Sequence, residues 1–133
     1  MFENKGFTNG KILSLTPREA LEVCQIGVCL VDVREEFMIG YKKFDVPSVC
    51  YFPLSELKND IHALPVDQYL IFADASGLHS KEAILLLLEA GYTKIANLAG
   101  GLVEWERDGL PLNLDDTEKL TGSCMCQLKR RSK

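Results

Sequence analysis

Val28 to Val33 (VCLVDV) constrains this chain more than any other stretch. Five of its six residues are apolar, and three are β-branched valines. A strand with one wet face would alternate polar and apolar side chains. This one is apolar on both sides, so it needs cover on both faces, as in a parallel sheet between two helical layers. Tyr69 to Ala73 (YLIFA) has the same character. Ile95 to Leu98, Lys11 to Leu15 and Val49 to Phe52 are shorter candidate strands. Helix signals fill the gaps. In Thr16-Pro17-Arg18-Glu19, Thr16 caps, Pro17 suits the first turn and Glu19 completes a capping box. That helix runs to about Gln25, and Gly27 ends it. Leu54 to Leu64 reads as helical, stopping before Pro65. Ser80 is placed to cap a helix over Lys81 to Ala90, ended by Gly91, and Gly100-Gly101 opens a short helix through Trp105. The expected class is α/β: an open, mostly parallel five-stranded sheet flanked by helices.

In such sheets ligands sit beyond the carboxyl ends of the strands. The segment Asp74-Ala75-Ser76-Gly77-Leu78-His79-Ser80 leaves a central strand and enters a helix, so it is the expected site. Backbone N–H groups at a helix start gather partial positive charge and form a cradle for anions.

The length of 133 residues suits one domain, expected over residues 10–112. From residue 113 the composition turns polar and charged, which reads as a flexible tail over 113–133. The net charge of −4 supplies no broad basic field for nucleic acid. The basic run Lys129-Arg130-Arg131 with Lys133 reads as a solvated terminus. No apolar stretch approaches the ~18 residues of a membrane span, and Met1 to Gly10 has no leader pattern. The expectation is a cytoplasmic protein that needs neither nucleic acid nor membrane, and uses no metal or cofactor.

The chain has five cysteines, an odd count with irregular spacing, which is no disulfide framework. Cys24, Cys29 and Cys50 lie in candidate helix or strand and read as packing residues. Cys124-Met125-Cys126 is different, since two thiols two residues apart sit in the tail. They could carry a persulfide, form a redox-active disulfide, or supply two of four ligands to zinc or copper(I).

Four segments together resemble the rhodanese family. They are Leu30-Val31-Asp32-Val33-Arg34-Glu35; Asp45-Val46-Pro47-Ser48 with Phe52-Pro53-Leu54; Asp74 to Ser80; and Asn97 to Trp105 with Gly109-Leu110-Pro111. The last is the most specific, with its Gly-Gly pair, tryptophan and Gly-x-Pro exit. The third is similar in spacing to the family's active-site loop, and its six positions from Asp74 to His79 are the sulfur-transfer size, not the longer phosphatase size. By this resemblance Asp74 occupies the place of the sulfur-carrying cysteine, His79 that of a loop arginine and Asp45 that of a histidine. A carboxylate is hard and holds no stable persulfide. The resemblance therefore implies a rhodanese-like module without ordinary cysteine-based sulfurtransferase activity. Its Asp74 carboxylate should turn into the loop, and the module would bind a small anion or a protein partner. The alternative is a sulfurtransferase or redox sulfur relay that uses Cys124 and Cys126.

Overall fold

The computed structural model describes residues 2, 5–40 and 42–114. The elements in chain order are β1 (Phe7–Asn9), β2 (Ile12–Leu15), α1 (Pro17–Gln25), β3 (Cys29–Asp32), α2 (Glu36–Ile39), β4 (Lys43–Phe44) and β5 (Val49–Tyr51). They continue with α3 (Leu54–Asn59), β6 (Leu70–Ala73), α4 (Leu78–Glu89), β7 (Ile95–Leu98), α5 (Gly101–Arg107) and β8 (Leu112–Asn113).

The main sheet has the order β1-β2-β7-β6-β3-β5. The five expected strands β2, β7, β6, β3 and β5 run parallel. A sixth, β1, joins the β2 edge antiparallel. It lies before residue 10 and carries Phe7-Thr8-Asn9, too short for a periodicity argument. Strands β4 and β8 form a separate antiparallel pair.

All four residues of β3, of β6 and of β7 are buried, as their unbroken apolar character requires. Their side chains alternate between two cores. Val31, Phe72 and Ile95 face Leu57 of α3 with Ile84 and Leu87 of α4. Leu30, Ile71, Ala73 and Leu98 face Ala20, Val23 and Cys24 of α1 with Leu102 and Trp105 of α5. Trp105 is fully buried; its Nε1–H donates to the Pro111 carbonyl at 2.7 Å and its ring meets Phe44 edge-on at 5.2 Å. This contact is why the exit Gly109-Leu110-Pro111 follows the tryptophan at fixed spacing.

The capping box of α1 is present. Thr16 Oγ1 accepts the Glu19 N–H at 3.3 Å, and Glu19 Oε1 accepts the Thr16 N–H at 3.0 Å. Two helix boundaries differ from the reading of the sequence. The helix expected over Leu54 to Leu64 stops at Asn59, and Leu64 is buried from the turn that follows. Helix α4 starts at Leu78, so Ser80 lies inside it and caps nothing. The reason for the second difference is found at the site.

Candidate functional site

The loop from Asp74 to Gly77 leaves the carboxyl end of β6 and turns into α4. Gly77 adopts φ +94°, a left-handed conformation that costs glycine little. A Cβ on it would lie 3.1 Å from the Gly100 nitrogen, so the position also demands a small residue.

The Asp74 side chain is buried at the centre of this turn. Its Oδ1 accepts the Gly77 N–H at 2.6 Å and the Ser80 hydroxyl at 3.1 Å. Its Oδ2 accepts the His79 N–H at 3.1 Å. The carboxylate thus satisfies amide donors of the first helical turn, the task of a cap residue, from three and five positions upstream. That explains why α4 begins before Ser80 and why the Ser80 hydroxyl points into the protein. Beyond Ser80 a buried polar chain continues: the hydroxyl also contacts the Asn97 side-chain oxygen, and Asn97 Nδ2 donates to Ser14 Oγ at 3.4 Å. The chain Asp74, Ser80, Asn97, Ser14 crosses from β6 through α4 to β7 and β2, all four side chains out of water.

His79 stands at the mouth. Its Nδ1 is 3.7 Å from Asp74 Oδ2, and 57% of its side chain is exposed. Ala75, Ser76 and Leu78 are exposed around it.

Helix α5 clamps the loop from the other side. The Leu102 N–H donates to the Asp74 carbonyl at 2.9 Å, and the Val103 N–H to the Ala75 carbonyl at 3.0 Å. This approach is possible because of the glycine pair. A Cβ on Gly101 would lie 2.4 Å from the Asp74 oxygen and 2.6 Å from the Ala75 carbonyl carbon. Neighbouring β3 ends in a buried ion pair. Arg34 Nη2 lies 2.7 Å from Asp32 Oδ2, and the same nitrogen donates to the Lys42 carbonyl at 3.0 Å. Burial pushes the Asp32 carboxyl above the ordinary carboxylate range, against the pull of the Arg34 guanidinium.

The structure therefore gathers Asp74, Gly77, His79 and Ser80 into one hydrogen-bonded unit. Cys124 and Cys126 lie outside the described residues. Cys24, Cys29 and Cys50 are buried. Burial pushes the Cys24 thiol up to about 12 and raises Cys29 as well. Asn97 and Ser14 join the polar chain behind Asp74 and were not singled out from the sequence for it. Their signal was present: each is a polar residue inside an otherwise apolar strand, IANL and ILSL. Among the described residues no group of three His, Cys, Asp or Glu is placed to hold a metal ion. No described helix is long and apolar enough to cross a membrane.

With the loop, the Asp32–Arg34 pair and the glycine clamp in place, the relatives can be compared. The profile of the rhodanese-like domain matches residues 16–108. The chain belongs to the rhodanese-like domain family. A sulfurtransferase of Allochromatium vinosum is 31% identical over 85 residues, covering 64% of this chain and 78% of that protein. The thiosulfate sulfurtransferase GlpE of Haemophilus influenzae is 27% identical over 103 residues, 74% of this chain and 92% of that one. Among solved structures, a rhodanese-related protein from Thermoplasma volcanium superposes with a TM-score of 0.66 at 26% identity, over 77% of this chain and 98% of its own. The rhodanese-like fold places the Asp74 loop at the carboxyl edge of the parallel sheet, and this domain has homologues that carry sulfurtransferase names.

Proposed function

We propose that this is a rhodanese-like module whose loop carries no sulfur and serves binding instead of cysteine-based sulfur transfer. One observation carries the reading: the Asp74 carboxylate takes the loop's Gly77 and His79 N–H groups for itself. Asp74 is read as standing where the family keeps its cysteine. A carboxylate cannot form a persulfide, and both its oxygens are already hydrogen-bonded and buried, so it is poorly placed as a nucleophile of any kind. The same contacts narrow the ligand. An incoming small anion would meet a fixed negative charge and donors already spent. A protein partner fits better, because the rim presents exposed apolar side chains: Leu78 at 69% and Val103 at 52%.

The test isolates the loop from the tail. In a Cys124→Ser, Cys126→Ser background, thiosulfate-to-cyanide sulfur transfer is expected to be absent. Asp74→Cys in that background is expected to gain turnover, because the turn, Gly77 and the start of α4 remain. Transfer by the double serine variant with Asp74 intact would overturn the reading.

A further inference from the structure

Helix α4 carries more apolar surface than its own domain covers. Ala83 to Leu88 (AILLLL) is an unbroken apolar run, and at helical spacing such a run faces every direction. A helix that is apolar all round needs cover all round. The domain covers one side, where Ala83, Ile84 and Leu87 are buried. Leu86 and Leu88 pack partly against that core, whereas Leu85 joins neither core and is 47% exposed. An open groove of about 520 Å³ runs beside it, lined by Lys11, Leu85, Leu88 and Glu89. The same face of the sheet ends in another uncovered side chain. Phe7 pairs with Ser14, whose hydroxyl turns to Asn97 and so toward α4. Directly opposed residues of neighbouring strands share a face, so Phe7 lies on the α4 side, 51% exposed.

The charges along this face indicate what covers it. Lys81, Leu85 and Glu89 follow one another at the i, i+4 spacing and form one row on the helix. Lys81 and Glu89 lie ~12 Å apart along the axis, too far to pair with each other. Neither has an opposite charge three or four positions away in the chain. Neither enters an ion pair among the described residues, whereas Glu82 is held by Lys58 of α3 at 2.9 Å. A row that reads cation, leucine, anion is complementary to itself turned end for end. In an antiparallel copy centred on Leu85, leucine meets leucine, and Lys81 comes level with Glu89 at both ends. A partner of one charge sign would match only one end of the row.

We infer that the exposed face of α4 is a self-association surface, on which a second copy of this chain docks antiparallel about a two-fold axis at Leu85. The contact is isologous, with the same patch serving both copies. Leu85 and Leu88 bury apolar surface at its centre, and the Lys81–Glu89 pairs at its rim fix the direction. The groove beside Leu85 and Leu88 gives the incoming leucine a place to seat. This surface is separate from the loop and does not depend on how the loop is read. Asp74 sits before the first turn of α4, and Leu85 lies about two turns further on.

Sedimentation equilibrium of the full chain tests this. The wild type is expected to form dimers, and Leu85→Glu to abolish them. Leu85 is nearly half exposed, so this variant retains the fold. Lys81→Glu and Glu89→Lys each set like charges together at both ends of the contact. Each is expected to raise the dissociation constant roughly tenfold. The double swap, Lys81→Glu with Glu89→Lys, restores both pairs in reverse order and is expected to return the constant to near the wild-type value. In a Cys124→Ser, Cys126→Ser background, Leu85→Cys is expected to form a disulfide-linked dimer under oxidised glutathione. It should do so faster than Val66→Cys, an exposed control between α3 and β6. A wild type that stays monomeric up to about 1 mM overturns the inference, since even a millimolar interface would show there. So does a dimer that Leu85→Glu leaves intact, a double swap as weak as the single ones, or cross-linking no faster at position 85 than at position 66. None of these outcomes touches the sulfur-transfer assay on the double serine variant, so the two readings fail separately.

Discussion

Replacement of Asp74 by alanine tests whether the carboxylate builds the loop or merely sits in it. Three donors point at it: the Gly77 N–H, the His79 N–H and the Ser80 hydroxyl. Hydrogen bonds to a charged group contribute about 1.5–3 kcal/mol each, so the gross loss is about 4–9 kcal/mol. Two effects reduce it. Burying a carboxylate costs several kcal/mol, about half of that sum, and the variant is relieved of this cost. The His79 N–H is half-buried and can turn to water, while the Ser80 hydroxyl keeps Asn97. What remains is chiefly the buried Gly77 N–H with no acceptor. The expected net destabilisation is about 2–3 kcal/mol, a large share of the usual 5–15 kcal/mol. Asp74→Asn should cost less, because one oxygen still serves Gly77. Its amide nitrogen then faces the His79 N–H, donor against donor. The assay is urea unfolding followed by the fluorescence of Trp105, the single tryptophan and fully buried. The midpoint of the alanine variant should fall by roughly 1–2 M. An alanine variant as stable as the wild type would refute the reasoning, because desolvation would then outweigh the three bonds.

The glycine clamp makes a sharper comparison. Gly101→Ala drives a Cβ into the Asp74 and Ala75 backbone and should cost about 3–5 kcal/mol, from strain of the left-handed residue plus overpacking. Gly109→Ala has the same sign of φ but nothing within 4 Å, so it should cost only about 1–2 kcal/mol; equal unfolding midpoints would refute the contact argument. In the native protein Cys24, Cys29 and Cys50 should resist a thiol reagent until urea unfolds the chain, as read by mass labelling. The Cys24 thiol, pushed by burial from 9.0 to about 12, stays neutral in the fold while the unfolded thiol ionises. Its contribution is therefore full below about pH 9 and is lost as pH rises toward 12, at up to ~1.4 kcal/mol per pH unit. Cys24→Ala should flatten that alkaline decline in urea-midpoint profiles.

The parallel sheet, the capping box of α1 and the packing role of three cysteines were legible in the sequence. Each rests on local chemistry or on period alone. VCLVDV can only be a strand covered twice, and Thr16 with Glu19 satisfy each other within one turn. The segment from Asp74 to Ser80 was likewise legible as a glycine-bearing turn that leaves a buried strand and enters a helix. The roles inside that segment were not. Ser80 carries every local sign of a cap, yet Asp74 reaches the helical amides first and the Ser80 hydroxyl turns inward to Asp74 and Asn97. Asn97 lies seventeen residues along the chain from Ser80, and Ser14 lies 83 from Asn97. No local pattern links them; the register of β7 between β6 and β2 does. The same holds for the glycine pair. The sequence marks Gly100-Gly101 as a helix start, but only tertiary packing shows that Gly101 is small because the Asp74 and Ala75 backbone occupies the space a side chain would need. Local hydrogen-bond and hydropathy rules thus determine which elements form. Which polar groups meet at their ends is decided by the sheet order, because that order alone sets the distances across which a carboxylate and its donors can find each other.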